Sequence, residues 1–491
     1  MNSFKKRFQK NIKIDLIERS GYIKMKHRMF VKFFFCVLVL AILTSACSVQ
    51  SSEGYHPNDS YTDKVETKAG TFSGVFRIKT EASESLTLDP HSSVSSMRSE
   101  AMIARYEEIE ELFDCTVEAQ QVKDGSITST MMASTAAARN YADIFQLSAG
   151  NIYEMYKGGY LTYAQNLEEF DITDEKWGFD GQKDMMTFRD GETYGFRNIY
   201  WSAPLPSVSG VLYYNSNILA ENVMPSPAEL YENGEWDWEH FKQISIGVTN
   251  HIADRQGTYA FVKPSAEYPE MIHAVINSNS GQRLVPDDLK GYKCGYMDWN
   301  TIDALEWLGE LVRDEKVCYE INGSASKVPD VEAFVNFYTA FFVADTSVGF
   351  SESEMYPLYT FEDDFRWIEF PKGPDFTGET TAYYSQYDQF LALSNTVDIG
   401  IVGKILNAMF EPLEDEDTDG WKDYIERNFF FHEEDFEFYL KMIKNAKTDF
   451  SVLTTKTNLT IDDLFGAVID GVKTPKEATE QLVPVIEGLL G

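Results

Sequence analysis

Strands and helices alternate in the part of this chain that begins near residue 74. Residues 74–79, 115–122 and 141–147 have the apolar or alternating pattern of strands. Residues 96–113 and 127–139, which separate them, have apolar side chains at helical spacing. Because strands that alternate with helices of this length form parallel βαβ units, we predict an α/β protein. Small residues at 148–150 follow the third strand, at the edge where open α/β sheets bind ligands.

The composition excludes several classes of protein. The chain has 491 residues, 43% of them hydrophobic, so it can bury a sizeable core in two or three domains. With 78 acidic and 43 basic side chains the net charge is −35, which disfavours binding to nucleic acid. The five cysteines form no CxxC pair, which excludes a zinc ribbon or a thioredoxin motif. Cys294 and Cys318 could form a disulfide, or both could be free thiols.

Common catalytic motifs do not occur in the sequence. It contains no HExxH, GxSxG, GxxxxGKS/T or GxGxxG pattern, so neither an enzyme nor a cofactor is expected. Two carboxylates suited to glycoside hydrolysis could still meet by chance among so many acidic residues. A secreted lipoprotein that acts on glycosides therefore stays open as an alternative.

The first 46 residues have the features of a secretion signal. They contain ten Lys or Arg against two Asp or Glu, and an uncharged apolar run of eleven residues at 33–43. This run is shorter than the roughly 20 residues of a membrane-spanning helix but suits a signal peptide. Residues 43–47, Leu-Thr-Ser-Ala-Cys, resemble a bacterial lipobox.

We therefore expect Cys47 to carry lipid chains, palmitate among them, that anchor the protein at the extracytoplasmic face of the cell membrane. The alternative is an ordinary signal peptide with an incidental cysteine. Residues 47–70 are polar, which predicts a solvated tether after the lipidated residue.

Several short segments further along occur in an order that resembles one protein family. They are ADIF at 142–145, YKGGYL at 156–161 with Asn-Leu at 166–167, YGF at 194–196, LYYN at 212–215, GEWDW at 234–238 and FPKGP at 370–374. Together with the lipobox, their order and spacing resemble the extracellular solute-binding proteins, family 1, of ABC importers, a maltose-binding-like group.

The resemblance implies a periplasmic-binding-protein-like fold, with two α/β lobes joined by a hinge and a ligand cleft between them. By analogy, lobe 1 covers residues 71–208 plus 367–388, and lobe 2 covers residues 209–366 plus 389–491. The hinge crossovers are expected near 208–212 and 368–371.

The resemblance also implies a function. It predicts a monomeric lipoprotein that captures an extracellular solute and delivers it to the transmembrane subunits of an ABC permease. A mono- or oligosaccharide is the expected solute. A binding subunit that feeds a membrane sensor is a further alternative.

Candidate ligand residues lie on segments that resemble the cleft loops of the family. Sugar sites combine aromatic faces with amides, hydroxyls and carboxylates that hydrogen-bond to hydroxyl groups. Ser351 and Glu352 follow an expected strand at 348–350, and two further tyrosines precede the returning strand at 389–393. The full set is Glu81, Ser148, Asn151, Trp201, Tyr268, Ser351, Glu352, Tyr384 and Tyr387.

Each of these predictions has a structural alternative. A loop aromatic is more often part of the packed rim than a ligand platform, and the carboxylates could be solvated loop charges. Trp236 and Trp238 are assigned to the start of a helix, where Asp237 is the N-cap and Trp236 and Phe241 form a hydrophobic staple.

An acidic stretch matches the pattern of an EF-hand loop. Asp415, Asp417 and Asp419 alternate before Gly420, and Glu426 follows six residues after that glycine. A bound Ca²⁺ would be structural. The alternative is an acidic linker between two helices, since Lys422 occupies a usually apolar position.

Overall fold

The computed structural model describes residues 74–82, 87–93, 96–123, 125–136, 140–189, 191–200, 207–251, 258–287, 291–321, 328–350, 357–385, 388–413, 420–448 and 457–490. They belong to one compact unit that extends over residues 69–491. Its strands are β1 (Val75–Thr80), β2 (Thr116–Gln121), β3 (Ile144–Ser148), β4 (Leu161–Thr162), β5 (Thr187–Arg189), β6 (Glu192–Thr193), β7 (Val208–Ser209), β8 (Val211–Asn215), β9 (Phe261–Val262), β10 (Leu284–Asp287), β11 (Gly291–Cys294), β12 (Cys318–Tyr319), β13 (Phe341–Ala344), β14 (Phe365–Glu369), β15 (Tyr383–Tyr384) and β16 (Gln389–Ser394).

The α-helices are α1 (Ser96–Phe113), α2 (Ser126–Ala136), α3 (Ala149–Lys157), α4 (Asp180–Met185), α5 (Ser216–Glu221), α6 (Pro227–Glu232), α7 (Trp238–His251), α8 (Glu270–Ser278), α9 (Trp299–Glu315), α10 (Pro329–Val335), α11 (Thr346–Gly349), α12 (Val402–Met409), α13 (Gly420–Phe429), α14 (Glu433–Asn445), α15 (Asn458–Ile469) and α16 (Pro475–Leu490). In the described part of the chain, no helix has both the length and the apolar character that a membrane span needs.

The first lobe is built on a five-stranded sheet in the order β2-β1-β3-β16-β4. β1 pairs in parallel with β2 and β3, whereas β16 runs antiparallel to β3 and β4. The first three strands and the helices α1 and α2 lie where the sequence pattern predicts them. The predicted α/β architecture is therefore confirmed.

Alternation along β1 sends Phe76 and Ile78 into a core on one face of this sheet. There they pack with Met102 of α1 and Ile405 of α12, and each such fully buried side chain contributes about 1.5–3 kcal/mol. The opposite face, which includes Leu147, joins a larger core that continues into the second lobe.

The second lobe is built on an antiparallel sheet in the order β13-β8-β14. β8 is buried at every position, as its apolar sequence predicts for a central strand. Helix α14 is fixed to this sheet by Asp435, whose Oδ1 accepts from Arg366 Nη2 at 2.7 Å and whose Oδ2 accepts from the backbone N–H of Trp367 at 3.2 Å.

The position of β16 differs from the predicted lobe boundary. Residues 389–491 were expected in the second lobe, but Gln389–Ser394 pairs with β3 and β4 of the first sheet, and α12 packs against α1. The physical reason is that Phe390–Leu393 is an apolar run that suits a strand covered on both faces in either lobe. The apolar pattern of the sequence therefore does not indicate which of the two sheets this strand joins.

A second difference concerns residues 348–350, which were expected to form a strand. The strand is Phe341–Ala344 instead, and Thr346–Gly349 is a short helix. Asp345 causes the change, because its Oδ1 accepts from the backbone N–H of Ser347 at 2.8 Å and so caps the helix.

The expected hinge segments lie where the chain passes between the two sheets. β7 pairs with β15, and Gly210 connects β7 to β8 with a φ of +79°. This backbone region favours glycine, and an added Cβ would lie 3.0 Å from Cε1 of Tyr383. Any other residue at position 210 would therefore be strained in this turn.

Candidate functional site at the edge of the first sheet

Glu81 follows β1 and connects two helices at the carboxyl edge of the first sheet. Its Oε1 accepts from the backbone N–H of Ile127 at 2.7 Å, in the first turn of α2. Its Oε2 accepts from Nδ2 of Asn151 at 2.9 Å, on α3. The carboxylate thus stabilises the N-terminus of α2, where negative charge is favourable, and it orients the amide of Asn151.

Ser148 ends β3 and caps the helix that carries Asn151. The Ser148 hydroxyl oxygen accepts from the backbone N–H of Asn151 at 3.5 Å. Three of the predicted ligand residues, Glu81, Ser148 and Asn151, are therefore brought together by one hydrogen-bonded network. They occupy the carboxyl ends of β1 and β3, where open α/β sheets bind ligands.

The first residue of β16 belongs to the same edge and was missed from the sequence. Gln389 lies directly opposite Ser148 in the pairing of β16 with β3. Its side chain is half-buried, and its Oε1 atom is buried without a hydrogen-bond partner among the described residues. The one signal in the sequence is a glutamine at the start of an otherwise apolar strand.

Tyr268 lies in the second lobe, on the turn that precedes α8. The backbone groups of Tyr268 and Ser265 hydrogen-bond to each other, and the Tyr268 side chain is half-buried. Burial raises the pKa of the Tyr268 hydroxyl, and the nearby Glu267 and Asp330 carboxylates raise it further. Glu270 keeps solvent contact, but the dense protein around it displaces water and raises the pKa of its carboxyl to about 7.

Comparison with known proteins establishes the fold. No protein-family model and no curated protein matches the sequence. Many solved structures do, among them the sugar-binding protein MalE of Xanthomonas citri, a family 1 extracellular solute-binding protein of Alicyclobacillus acidocaldarius, and UgpB of Mycobacterium tuberculosis in complex with glycerophosphocholine. The identities are 15%, 13% and 14%, and the TM-scores are 0.59, 0.55 and 0.54 in the same order.

Each of these alignments covers 85% of this chain and 97% or 98% of the other. The chain has the fold of the extracellular solute-binding proteins. The resemblance predicted from the sequence is thereby confirmed for the fold, including its two α/β lobes.

In this solute-binding fold, a buried ion pair lies where the first sheet meets the segment that leads into β7. Asp388 and Arg197 are about 5% exposed, and the Arg197 guanidinium contacts Oδ2 of Asp388 at 2.8 Å. The same oxygen accepts from Nε2 of Gln182 at 2.8 Å, and Oδ1 accepts from the backbone N–H of Ser207 at 3.4 Å. The carboxylate of Asp388 therefore joins α4, the segment before β7 and the start of β16.

Tyr384 does not have the exposure expected of a ligand residue. Its side chain is 1% exposed, and its hydroxyl donates to the carbonyl oxygen of Ile443 at 2.6 Å. The ring also packs so closely on Gly181 that an added Cβ there would lie 2.5 Å from Cε2 of Tyr384. The prediction for Tyr384 is therefore corrected to a packing role, because the loop position did not reveal the burial of its side chain.

The two tryptophans near residue 237 have the structural role assigned to them. Trp236 and Phe241 are in contact with ring centroids 6.1 Å apart, and Oδ1 of Asp237 accepts from the backbone N–H of His240 at 3.0 Å. Both indole N–H groups donate to acceptors inside the protein, those of Trp236 to Glu369 and of Trp238 to Ser278. The helix-start assignment is confirmed.

Several predicted positions fall outside the described residues, so the predictions made for them stay predictions. They are Cys47, Trp201, Ser351, Glu352, Tyr387, Asp415, Asp417 and Asp419. Glu426, the last residue of the predicted calcium loop, lies on α13. Cys294 and Cys318 are free thiols, which decides against the disulfide.

Proposed function

We propose that this protein is the solute-binding receptor of an ABC importer and that it captures a carbohydrate. The observation that carries the proposal is the network of Glu81, Ser148 and Asn151 at the carboxyl edge of the first sheet, in a fold shared with solute-binding proteins. Carboxylate, hydroxyl and amide groups are the side chains that hydrogen-bond to sugar hydroxyls.

The charges near this edge support a neutral solute. The network contains a carboxylate and no cation, and the Arg197 guanidinium nearby is paired with Asp388. Proteins of similar structure bind different solutes, since MalE of Xanthomonas citri is a sugar-binding protein whereas UgpB of Mycobacterium tuberculosis forms a complex with glycerophosphocholine. The fold alone therefore does not select the solute, and the proposal for a carbohydrate rests on these side chains.

The mechanism that we propose is hinge closure without catalysis. A solute that contacts both lobes stabilises the closed form, because that form alone offers both surfaces together. The closed receptor would then deliver the solute to the transmembrane subunits of the permease. The crossovers at Gly210 and after β14 are the expected hinge segments.

A thermal-shift screen of the full chain, purified in detergent, tests this proposal. The panel is glucose, maltose, maltotriose, cellobiose, raffinose and, as a non-sugar solute, glycerophosphocholine. A true solute at 100 times its Kd should add about 2.7 kcal/mol to the free energy of unfolding, which raises Tm by about 3 °C for a unit of this size. Stabilisation by glycerophosphocholine alone would contradict the proposal that the solute is a carbohydrate. Conversion of a sugar to products would contradict the proposal that the protein is a receptor without catalytic activity.

A second experiment tests the lipid anchor that we propose at Cys47. In a bacterial host, the wild-type chain should partition into the detergent phase, with an N-terminal peptide that begins at Cys47 and carries the mass of its acyl chains. The Cys47→Ser variant should lose that mass. A wild-type N-terminus that is cleaved but not acylated would favour the ordinary signal peptide instead.

A further inference from the structure

The side chain of Gln389 points to a hydrogen-bonding group that the protein itself does not supply. Gln389 and Ser148 are paired across β16 and β3, so their side chains project from the same face of the first sheet. Gln146 lies two residues before Ser148 on β3 and therefore shares that face. The two glutamines occupy neighbouring positions at the carboxyl edge.

The two glutamine amides differ in their partners. Oε1 of Gln146 accepts from the hydroxyl of Thr80 at 2.7 Å and from the backbone N–H of Leu88 at 3.2 Å. Oε1 of Gln389 is shielded from solvent but has no partner among the described residues. A buried polar atom without a partner is unfavourable and uncommon in native proteins.

The two neighbours of Gln389, Asp388 and Ser148, already have hydrogen-bond partners elsewhere in the first lobe. Asp388 is held by Arg197, Gln182 and the backbone of Ser207, and Ser148 caps α3. Of these three side chains, Gln389 is the one with a buried polar atom that has no partner among the described residues. A hydroxyl group of a solute can donate to its oxygen and accept from its nitrogen, and it carries no charge that would need a counter-ion.

We propose that Gln389 binds a hydroxyl group of the solute at the edge of the first lobe. This inference rests on the proposed receptor function and adds a binding residue from β16 to Glu81, Ser148 and Asn151. It also restricts the solute to molecules with a neutral hydrogen-bond donor at this point.

Leucine at each glutamine position separates ligand binding from structural pairing. In the absence of solute, Gln389→Leu removes an unpaired polar group at similar volume, so Tm should stay the same or rise by about 1–2 °C. Gln146→Leu removes the acceptor of two hydrogen bonds, so its Tm should fall. If both variants lose Tm equally in the solute-free protein, the Gln389 amide is paired and the inference is overturned.

Affinity measured on the same full-length proteins by titration calorimetry completes the test. With each sugar of the panel that the wild type binds, Gln389→Leu should raise Kd at least tenfold. Gln243→Leu, on the exposed surface of α7, is the matched control and should leave Kd within twofold. Unchanged affinity of Gln389→Leu for a sugar that the wild type binds overturns this inference alone. Failure of the wild type to bind any sugar overturns the proposed function, and this inference with it.

Discussion

At the scale of single residues, Tyr384 and Gln389 differ in whether a buried polar atom has a hydrogen-bond partner. Tyr384 and Gln389 lie five residues apart on the segment that returns to the first lobe. The hydroxyl of Tyr384 is buried and donates to Ile443, whereas the amide oxygen of Gln389 is buried and receives no hydrogen bond from the described residues. The buried polar group of Tyr384 therefore has its partner in the solute-free protein, whereas that of Gln389 does not.

Replacing Tyr384 by phenylalanine should weaken the fold and leave solute binding unchanged. The change removes the donor to the buried carbonyl of Ile443, and we expect the free energy of unfolding to fall by about 1–3 kcal/mol. Urea denaturation measures this loss, and calorimetry should find Kd within twofold of the wild type. Tyr338→Phe, at a residue that is 43% exposed, is the control and should change neither quantity. A large loss of affinity for the solute with unchanged stability would instead support the prediction that Tyr384 binds the ligand.

The sequence predicts where a residue lies when that place follows from the end of a strand. Glu81, Ser148 and Asn151 could be placed at one edge because they lie at or shortly after the ends of β1 and β3, and parallel strands share an edge. The position of Gln389 could not be predicted in this way, because it depends on the long-range pairing of β16 with β3. The burial of Tyr384 likewise depends on α14, which lies some sixty residues further along the chain.

At the scale of secondary-structure elements, local chemistry decides between apolar segments of similar pattern. Residues 341–344 and 348–350 are both short and apolar, so periodicity alone cannot say which is the strand. Asp345 decides it by capping α11, which makes 346–349 helical and leaves the strand before it. The cap is visible in the sequence, and an aspartate followed by threonine and serine could have corrected the prediction.

The C-terminus of α12 shows an element held by a distant residue. Arg105 of α1 donates from its two terminal nitrogens to the carbonyl oxygens of Ala408, Met409, Glu411 and Pro412, at 2.9–3.2 Å. A guanidinium group suits the negative end of a helix, where carbonyl oxygens lack helical partners. These contacts bind α12 to the first lobe, and no pattern local to residues 402–412 indicates them.

At the scale of the whole molecule, the chain leaves the first lobe and returns to it. β16 lies between β3 and β4 although about 230 residues separate it from β4 in sequence. Such pairing is set by the fit of one apolar strand between two others and not by local propensity. The interleaving could therefore be expected only through resemblance to a known fold. Both expected limits of the returning segment, 367 and 388, differ from the structure, because residues 367–369 pair with β8 in the second lobe and residues 389–393 pair with β3 in the first.

The Asp388–Arg197 pair is expected to hold the crossovers in one geometry. Asp388→Asn keeps the shape of the side chain but removes the carboxylate charge that the buried guanidinium contacts. We expect the free energy of unfolding to fall by about 3–5 kcal/mol, because breaking a buried ion pair by neutralising one partner is strongly unfavourable. Urea denaturation of the single variant and of the double variant Asp388→Asn with Arg197→Met measures this effect.

The double variant removes both charges, so it should regain at least half of the stability that the single variant loses. Neither side chain is exposed enough to contact a solute, and any change in Kd would then report on the balance between the open and closed lobes. A single variant as stable as the wild type would show that the pair does not fix the crossovers. A double variant no better than the single one would assign the loss to the hydrogen bonds of Gln182 and Ser207 with Asp388 instead.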